Sequence, residues 1–323
     1  MAGLRFLLAL GILLYAAPAH AGMMRTADFS QWLYGVQQEA LASGISEATV
    51  SEALGQVMPD ERVIILDQKQ PEHTVTFDAY SEHVLTRDRI RRGQELIDQY
   101  GNLLDTISSR YGVPPEIIVA LWGMESSFGH NSGDYSIVDS LATLAYEGRR
   151  ADFFRKELLA ALRILDSEHL PSSYLRGSWA GAMGQCQFMP STYLRYAVDY
   201  DNSGIRDIWN NIPDVFASIA NYLAAEGWSS DLTWGREVDL TRDLPAGEAG
   251  LDHTRSLAEW RHLGVRSLDG SALPDRDLQA SLVQPDGADG RSFLVYDNFR
   301  ALMRWNRSTY FATTVGLLAD RIK

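Results

Sequence analysis

Val119-Ala120-Leu121-Trp122-Gly123-Met124-Glu125-Ser126-Ser127-Phe128-Gly129 sets a single carboxylic acid at the end of an apolar run. Just upstream, Pro114-Pro115-Glu116 predicts a helix start, because proline suits the first turn and an acid there complements the positive end of the helix dipole. Gly129 is a natural stop. Within this helix Ile118, Leu121, Trp122 and Glu125 follow the i, i+3, i+4, i+7 spacing of a packed face, which would turn the carboxylate toward the core. Burial and the negative end of the dipole both favour the neutral acid, and a neutral acid near pH 7 can serve as a general acid. The competing reading is a buried structural glutamate, satisfied by an arginine or a backbone donor.

Outward from this helix the chain is mainly helical, with a short β-rich stretch. From Thr26 to Gly112 the pattern is helical with polar faces, as in Leu103, Leu104, Ile107 and Tyr111. Downstream, Asp152 to Leu165 is amphipathic, with Phe154, Leu158, Ala161, Leu162 and Leu165 on one side. Asp214 is placed to cap a further helix through Phe216, Ile219 and Tyr222, which Gly227 would close. After Trp234 the texture changes: Gly235 to Leu240 alternates, and Pro245, Gly250, Gly270, Pro274 and Gly287 punctuate short strands. Helical periodicity returns from Asn298 through Trp305 and Tyr310 to the C-terminus.

With 323 residues, 46% of them hydrophobic, the chain is long enough for one large core or two smaller ones. Phe6 to Tyr15 form an apolar run after Arg5, and Ala19-His20-Ala21 has the small-x-small form of a signal-peptidase site, so export with cleavage after Ala21 is expected. A retained membrane anchor would need about 20 apolar residues; Pro18 and His20 interrupt the run first. No cysteine follows it to take a lipid, so no membrane anchor is expected after cleavage. The only cysteine is Cys186, which rules out an intramolecular disulfide and reads as a packed residue. A formal charge of -13 argues against nucleic acid and anionic membrane surfaces as partners.

Two further segments carry chemistry. Gly177-Ser178-Trp179-Ala180-Gly181-Ala182-Met183-Gly184-Gln185-Cys186-Gln187-Phe188-Met189-Pro190-Ser191 combines glycines, which admit close backbone approach, with amide and aromatic groups of the kind that line a sugar cleft. The plainer alternative is a tight helix-packing loop. Asp199-Tyr200-Asp201-Asn202-Ser203-Gly204-Ile205-Arg206-Asp207 matches the start of an EF-hand loop, which predicts a structural Ca2+ held by Asp199, Asp201, Ser203 and the Ile205 carbonyl. Asn210 stands where the bidentate glutamate belongs, so Asp214 is assigned as the remaining ligand through a longer loop. A metal-free Asx-turn loop is the alternative. There is no Gly-x-Ser-x-Gly elbow, phosphate-binding glycine loop or His-Glu-x-x-His helix.

Together these three segments, in their order and spacing, closely resemble the membrane-bound lytic murein transglycosylase B family. Leu141-Ala142-Thr143-Leu144-Ala145-Tyr146, Ile219-Ala220-Asn221-Tyr222 and Asn298-Phe299 through Ser308 extend the similarity over nearly all of the mature chain. The resemblance implies a goose-type lysozyme-like helical core, a helical N-terminal region and a small β-rich insertion. The implied division is a signal peptide over 1–21, a helical region over 22–112, a catalytic core over 113–234, a β-rich subdomain over 235–297 and a returning C-terminal helix over 298–323. It implies a periplasmic enzyme that needs no cofactor for its chemistry. This enzyme would act on peptidoglycan glycan strands, with other cell-wall enzymes as further partners, and cleave the β-1,4 bond to leave 1,6-anhydromuramoyl ends. Glu125 would be acid and then base; Gln187 and Tyr222, with Ser126, Tyr146 and Trp305, would bind substrate. Two alternatives stay open: a hydrolytic muramidase, for which Asp134 or Asp139 would supply a second carboxylate, and a non-catalytic peptidoglycan-binding scaffold.

Overall fold

Serine, threonine and aspartate side chains start most of the helices. Ser46, Asp60, Thr76, Thr86, Ser136, Ser256 and Ser308 each accept a hydrogen bond from an amide in the following turn, satisfying a donor that the helix itself leaves open. The computed structural model describes residues 26–69, 75–245 and 247–323; the expected signal peptide, 1–21, lies outside the described residues. In chain order the helices are α1 (Thr26–Ala42), α2 (Glu47–Leu54), α3 (Glu61–Gln68), α4 (Phe77–Val84), α5 (Arg87–Tyr111), α6 (Pro115–Ser126), α7 (Ile137–Glu147), α8 (Ala151–Glu168), α9 (Pro190–Tyr196), α10 (Ile212–Ala225), α11 (Leu257–His262), α12 (Asp297–Trp305) and α13 (Thr309–Ile322). The strands are β1 (Tyr135–Ser136), β2 (Arg176–Gly177), β3 (Gly235–Leu240), β4 (Arg255–Ser256), β5 (Val265–Ser267), β6 (Gln279–Val283) and β7 (Ser292–Val295).

Two units share this chain, and each is assembled from segments distant in sequence. Among the described residues one takes 75–124 and the chain from Ala220 onward; the other takes 26–69 and 125–219. The divisions fall inside α6, after Met124, and inside α10, after Ile219. The first unit contains an antiparallel sheet in the order β4-β6-β7-β3-β5. Trp260, Leu257, Val265, Leu282, Leu294 and Tyr296 form a core at this sheet, and the Trp260 indole N–H is satisfied by the Ala280 carbonyl at 2.9 Å. Against α13, the buried Trp234 indole donates to Asp320 at 3.1 Å. A Cβ added at Gly316 would lie 2.7 Å from Cε3 of that indole. Gly316→Ala is therefore expected to destabilise by about 1–3 kcal/mol, overpacking outweighing the better helix propensity of alanine. Chemical denaturation would measure it, and a variant as stable as the parent would show that this contact relaxes freely.

The second unit is mainly helical, with the short β1–β2 pair. α7 packs along α8, α8 on α9 and α2, and α3 on α7. The face of α8 expected to be apolar is buried as expected, but Glu157 lies in the same stripe, only 5% exposed. It is satisfied by Ser191 at the start of α9, through the amide at 2.9 Å and the hydroxyl at 2.7 Å.

Three sequence expectations need correction. Ile117 to Met124 are all buried, so α6 has no single apolar face, and Glu125 at its end is only partly buried. A helix apolar on every side carries no stripe from which to read a direction. Asp214 sits inside the first turn of α10, which begins at Ile212, and does not cap it. The C-terminal periodicity is two helices, because Asn306 leaves helical geometry and Ser308 caps α13.

Candidate active site

After Ser126 the chain turns sharply: Ser127, Phe128 and Gly129 take φ of 51°, 59° and 81° in succession. The left-handed region is unfavourable for residues with a Cβ, so such a run persists only where surrounding structure holds it, and it clusters at functional sites. Ser126 is 1% exposed, and its hydroxyl accepts from the Gly129 amide at 3.0 Å. The Asn131 amide donates to the Ser126 carbonyl at 2.8 Å. The turn thus terminates α6 and presents Glu125 on the last helical turn.

The glycine-rich segment faces this turn. β2 pairs with β1, and Met183 and Phe188 form a tight reverse ladder at 2.8 and 3.2 Å. Gln187 holds φ of 50° and donates its side-chain amide to the Ser132 carbonyl at 2.9 Å and the Gly184 carbonyl at 2.8 Å. Both Nε2 protons are thereby used, so Oε1 is the side-chain atom left to meet a ligand's donor. Gly133 packs against Gly177 and Ser178, where a Cβ would lie 2.7 Å from the Ser178 nitrogen. The turn after Glu125 and the glycine-rich segment, separated by some fifty residues of sequence, therefore meet in one unit.

Cys186 is fully buried there, its thiol directed to the Val215 carbonyl at 3.6 Å. Burial, with the negative charges of Glu125 and Asp214 adding to it, pushes the thiol well above its ordinary range. Tyr146 lies in the same unit, its ring edge-on to Phe29 at 5.1 Å and to Trp32 at 5.5 Å. Tyr222 and Trp305 come together in the other unit, their rings 4.7 Å apart at 67°. Asp134 is exposed, and Asp139 lies in the first turn of α7.

The acidic loop brings Asp199, Asp201 and Asp214 together, a carboxylate oxygen of each lying within 4.8 Å of the others. Asp199 accepts from the Ser203 and Gly204 amides, each at 2.9 Å. The Ser203 hydroxyl donates to the Ile205 carbonyl at 3.2 Å. Asp214 is fully buried, accepting from the Tyr200 amide at 2.7 Å and the Asp207 amide at 2.8 Å. Burial pushes its carboxyl up to about 6, the Asp201 and Asp199 charges adding to the rise. A buried acid beside two more, all offering oxygen, fits a hard cation such as Ca2+. Asn210 bonds to Asp207, its backbone amide donating at 2.9 Å and its side-chain Nδ2 at 3.5 Å.

Sequence reasoning missed Glu168, which ties this loop to α8. It accepts from the Tyr193 hydroxyl at 2.7 Å and pairs with Arg206 at 2.5 Å. The signal available was a carboxylate just after the apolar stripe of α8.

The chain matches the transglycosylase SLT domain over residues 28–320 and belongs to that family. It is 34% identical over 251 residues to membrane-bound lytic murein transglycosylase B of Escherichia coli (strain K12), a match spanning 75% of this chain and 66% of that relative's length. Among solved structures, SltB3 from Pseudomonas aeruginosa in complex with NAG-anhNAM-pentapeptide superposes with a TM-score of 0.87 at 45% identity, covering 90% of this chain and 78% of that one. The Escherichia coli lytic transglycosylase Slt35 in complex with calcium gives a TM-score of 0.77 at 30% identity, covering 90% and 92%. The fold is accordingly the lysozyme-like fold of lytic transglycosylases, mainly helical with a small antiparallel sheet.

Proposed function

We propose that this protein is a peptidoglycan lytic transglycosylase in which Glu125 does both proton steps. The observation that carries the reading is the placement of Glu125: a partly exposed carboxylate at the end of a buried helix, followed by a left-handed turn packed on the glycine-rich segment. As acid, Glu125 donates its proton to the glycosidic oxygen while the bond from muramoyl C1 breaks, releasing N-acetylglucosamine as an alcohol. As carboxylate, it then takes the proton from the muramoyl C6 hydroxyl as that oxygen bonds to C1. The ring closes as a 1,6-anhydro sugar, and no water is consumed. The substrate's own N-acetyl group shields the cationic carbon, so no second carboxylate is needed.

Gln187, Tyr222, Ser126, Tyr146 and Trp305 are the substrate-binding residues of this reading. Gln187 Oε1 takes a donor of the sugar, and the Tyr222–Trp305 pair provides apolar ring surface. Ser126 acts from beneath, by holding the turn beside Glu125. Asp199, Asp201, Ser203, Ile205 and Asp214 hold Ca2+, which stiffens the loop and takes no part in bond breaking. Export through residues 1–21 delivers the enzyme to the periplasm, where other wall enzymes are its partners. No helix among the described residues is long and apolar enough to cross a membrane. The catalytic core is taken as 113–234 and the β-rich part as 235–297, a division by role, whereas the compact units part this core after Met124 and after Ile219.

Mass spectrometry of the soluble products from purified sacculi tests the reaction. Anhydromuropeptides are expected; products heavier by one water would make the enzyme a hydrolytic muramidase, and no products at all would leave a binding scaffold.

A further inference from the structure

The geometry points to Gln185 as a positioning residue that couples the acidic loop to the catalytic end of α6. This rests on the reading of Glu125 as the catalytic acid. Gln185 is only 8% exposed, and it is tied twice to the acidic loop: its amide donates to the Ile208 carbonyl at 2.8 Å and its Nε2 to the Trp209 carbonyl at 2.7 Å. From there a line of hydrogen bonds runs back to the buried acid. The Trp209 amide donates to Asp207 at 2.9 Å, and the Asp207 amide donates to Asp214 at 2.8 Å.

On its other side the Gln185 carboxamide lies against Gly129. A Cβ there would come within 2.9 Å of Gln185 Cδ, and Gly129 stands at φ 81°, so both space and backbone demand glycine. The Gly129 amide in turn donates to the hydroxyl of Ser126, the residue after Glu125. The route from the cation ligand Asp214 to the turn beside the catalytic carboxylate thus consists of three hydrogen bonds and one packing contact, all in one unit. Gly184 reinforces it, since a Cβ there would meet the Ile208 carbonyl oxygen at 2.7 Å. A carboxamide suits the position because its nitrogen end donates to the loop while its oxygen end and Cδ lie against glycine. Methionine would fill the space and leave the Trp209 carbonyl without that donor; glutamate would set a carboxylate against it.

The coupling is read on full-length mature protein, metal-free and with added Ca2+, by hydrogen exchange over residues 126–131 and by kcat and KM on soluble glycan strands. In the parent, Ca2+ is expected to slow exchange at 126–131 and to raise kcat with KM unchanged. Gln185→Met is expected to keep its Ca2+-dependent rise in melting temperature, to lose the exchange response at 126–131, and to have kcat roughly tenfold lower, as small misplacement of a reacting group commonly costs. Gln185→Glu, of the same size, is expected to show the same losses should the methionine variant fold poorly. Unchanged exchange at 126–131 when the parent meets Ca2+, a variant that retains the response, or a variant with parental kcat would each overturn the coupling. A parent without turnover would instead refute the catalytic reading, and the exchange comparison would still decide whether the loop and the turn are linked.

Discussion

Replacing Glu125 with glutamine is expected to reduce anhydromuropeptide release by roughly three to four orders of magnitude, the scale of a lost general acid and base. The amide keeps the size of the side chain, and the site is partly exposed at a helix end, so the fold should be unaffected and the melting temperature close to that of the parent. It can neither deliver a proton to the leaving oxygen nor accept one from the C6 hydroxyl. Sacculus binding, proposed above to rest on other side chains, should persist. Product analysis by mass spectrometry alongside a sedimentation assay separates these quantities. A Glu125→Gln protein that still forms anhydro ends at a comparable rate would refute the assignment.

The second large effect concerns the acidic loop in chelator. Burial raises the Asp214 carboxyl from the ordinary 3.8 to about 6 in the folded protein. The unfolded chain therefore releases this proton first as pH rises, so the stability contributed by the protonated group is present below about pH 4 and is lost between pH 4 and 6. The loss approaches about 3 kcal/mol, or about 5 °C in melting temperature for a chain of this length. Other carboxyls, among them Asp60 beside Arg62 and Asp166 beside Ser46 and Thr49, are held low and act in the opposite sense. The clean measurement is therefore the difference between the parent and Asp214→Asn in chelator, followed from pH 4 to 7. It should move in favour of the variant as pH rises. Ca2+, which binds the ionised form, should restore the parent above pH 6 and stabilise it little at pH 4. A difference independent of pH would mean that Asp214 ionises normally.

Much of this was written plainly in the chain. Amphipathic α8 could be read because its buried side repeats at helical spacing, and β3 could be read by alternation and the turns that follow it. α6 could be placed but not oriented, since a helix buried on every side offers no contrast between faces, and the partial exposure of Glu125 depends on what packs beyond the helix end. The acidic loop was legible because most of its carboxylates are close in sequence. The grouping of residues into units was not, because it joins 26–69 to 125–219 and 75–124 to the C-terminal part through contacts that local pattern does not encode. Gln185 was passed over for Gln187 because both sit in one glycine-rich run, and only the fold shows one directed to the Trp209 carbonyl and the other to Ser132.

The burial of Cys186 has a practical side. As the only thiol in the sequence, fully enclosed and held in its neutral form by its surroundings, it should resist maleimides and iodoacetamides under native conditions. A cysteine introduced at an exposed position such as Leu268 could then take a fluorophore alone, with the native residue left in place. Substrate capture and release could be watched one molecule at a time in an otherwise unaltered protein.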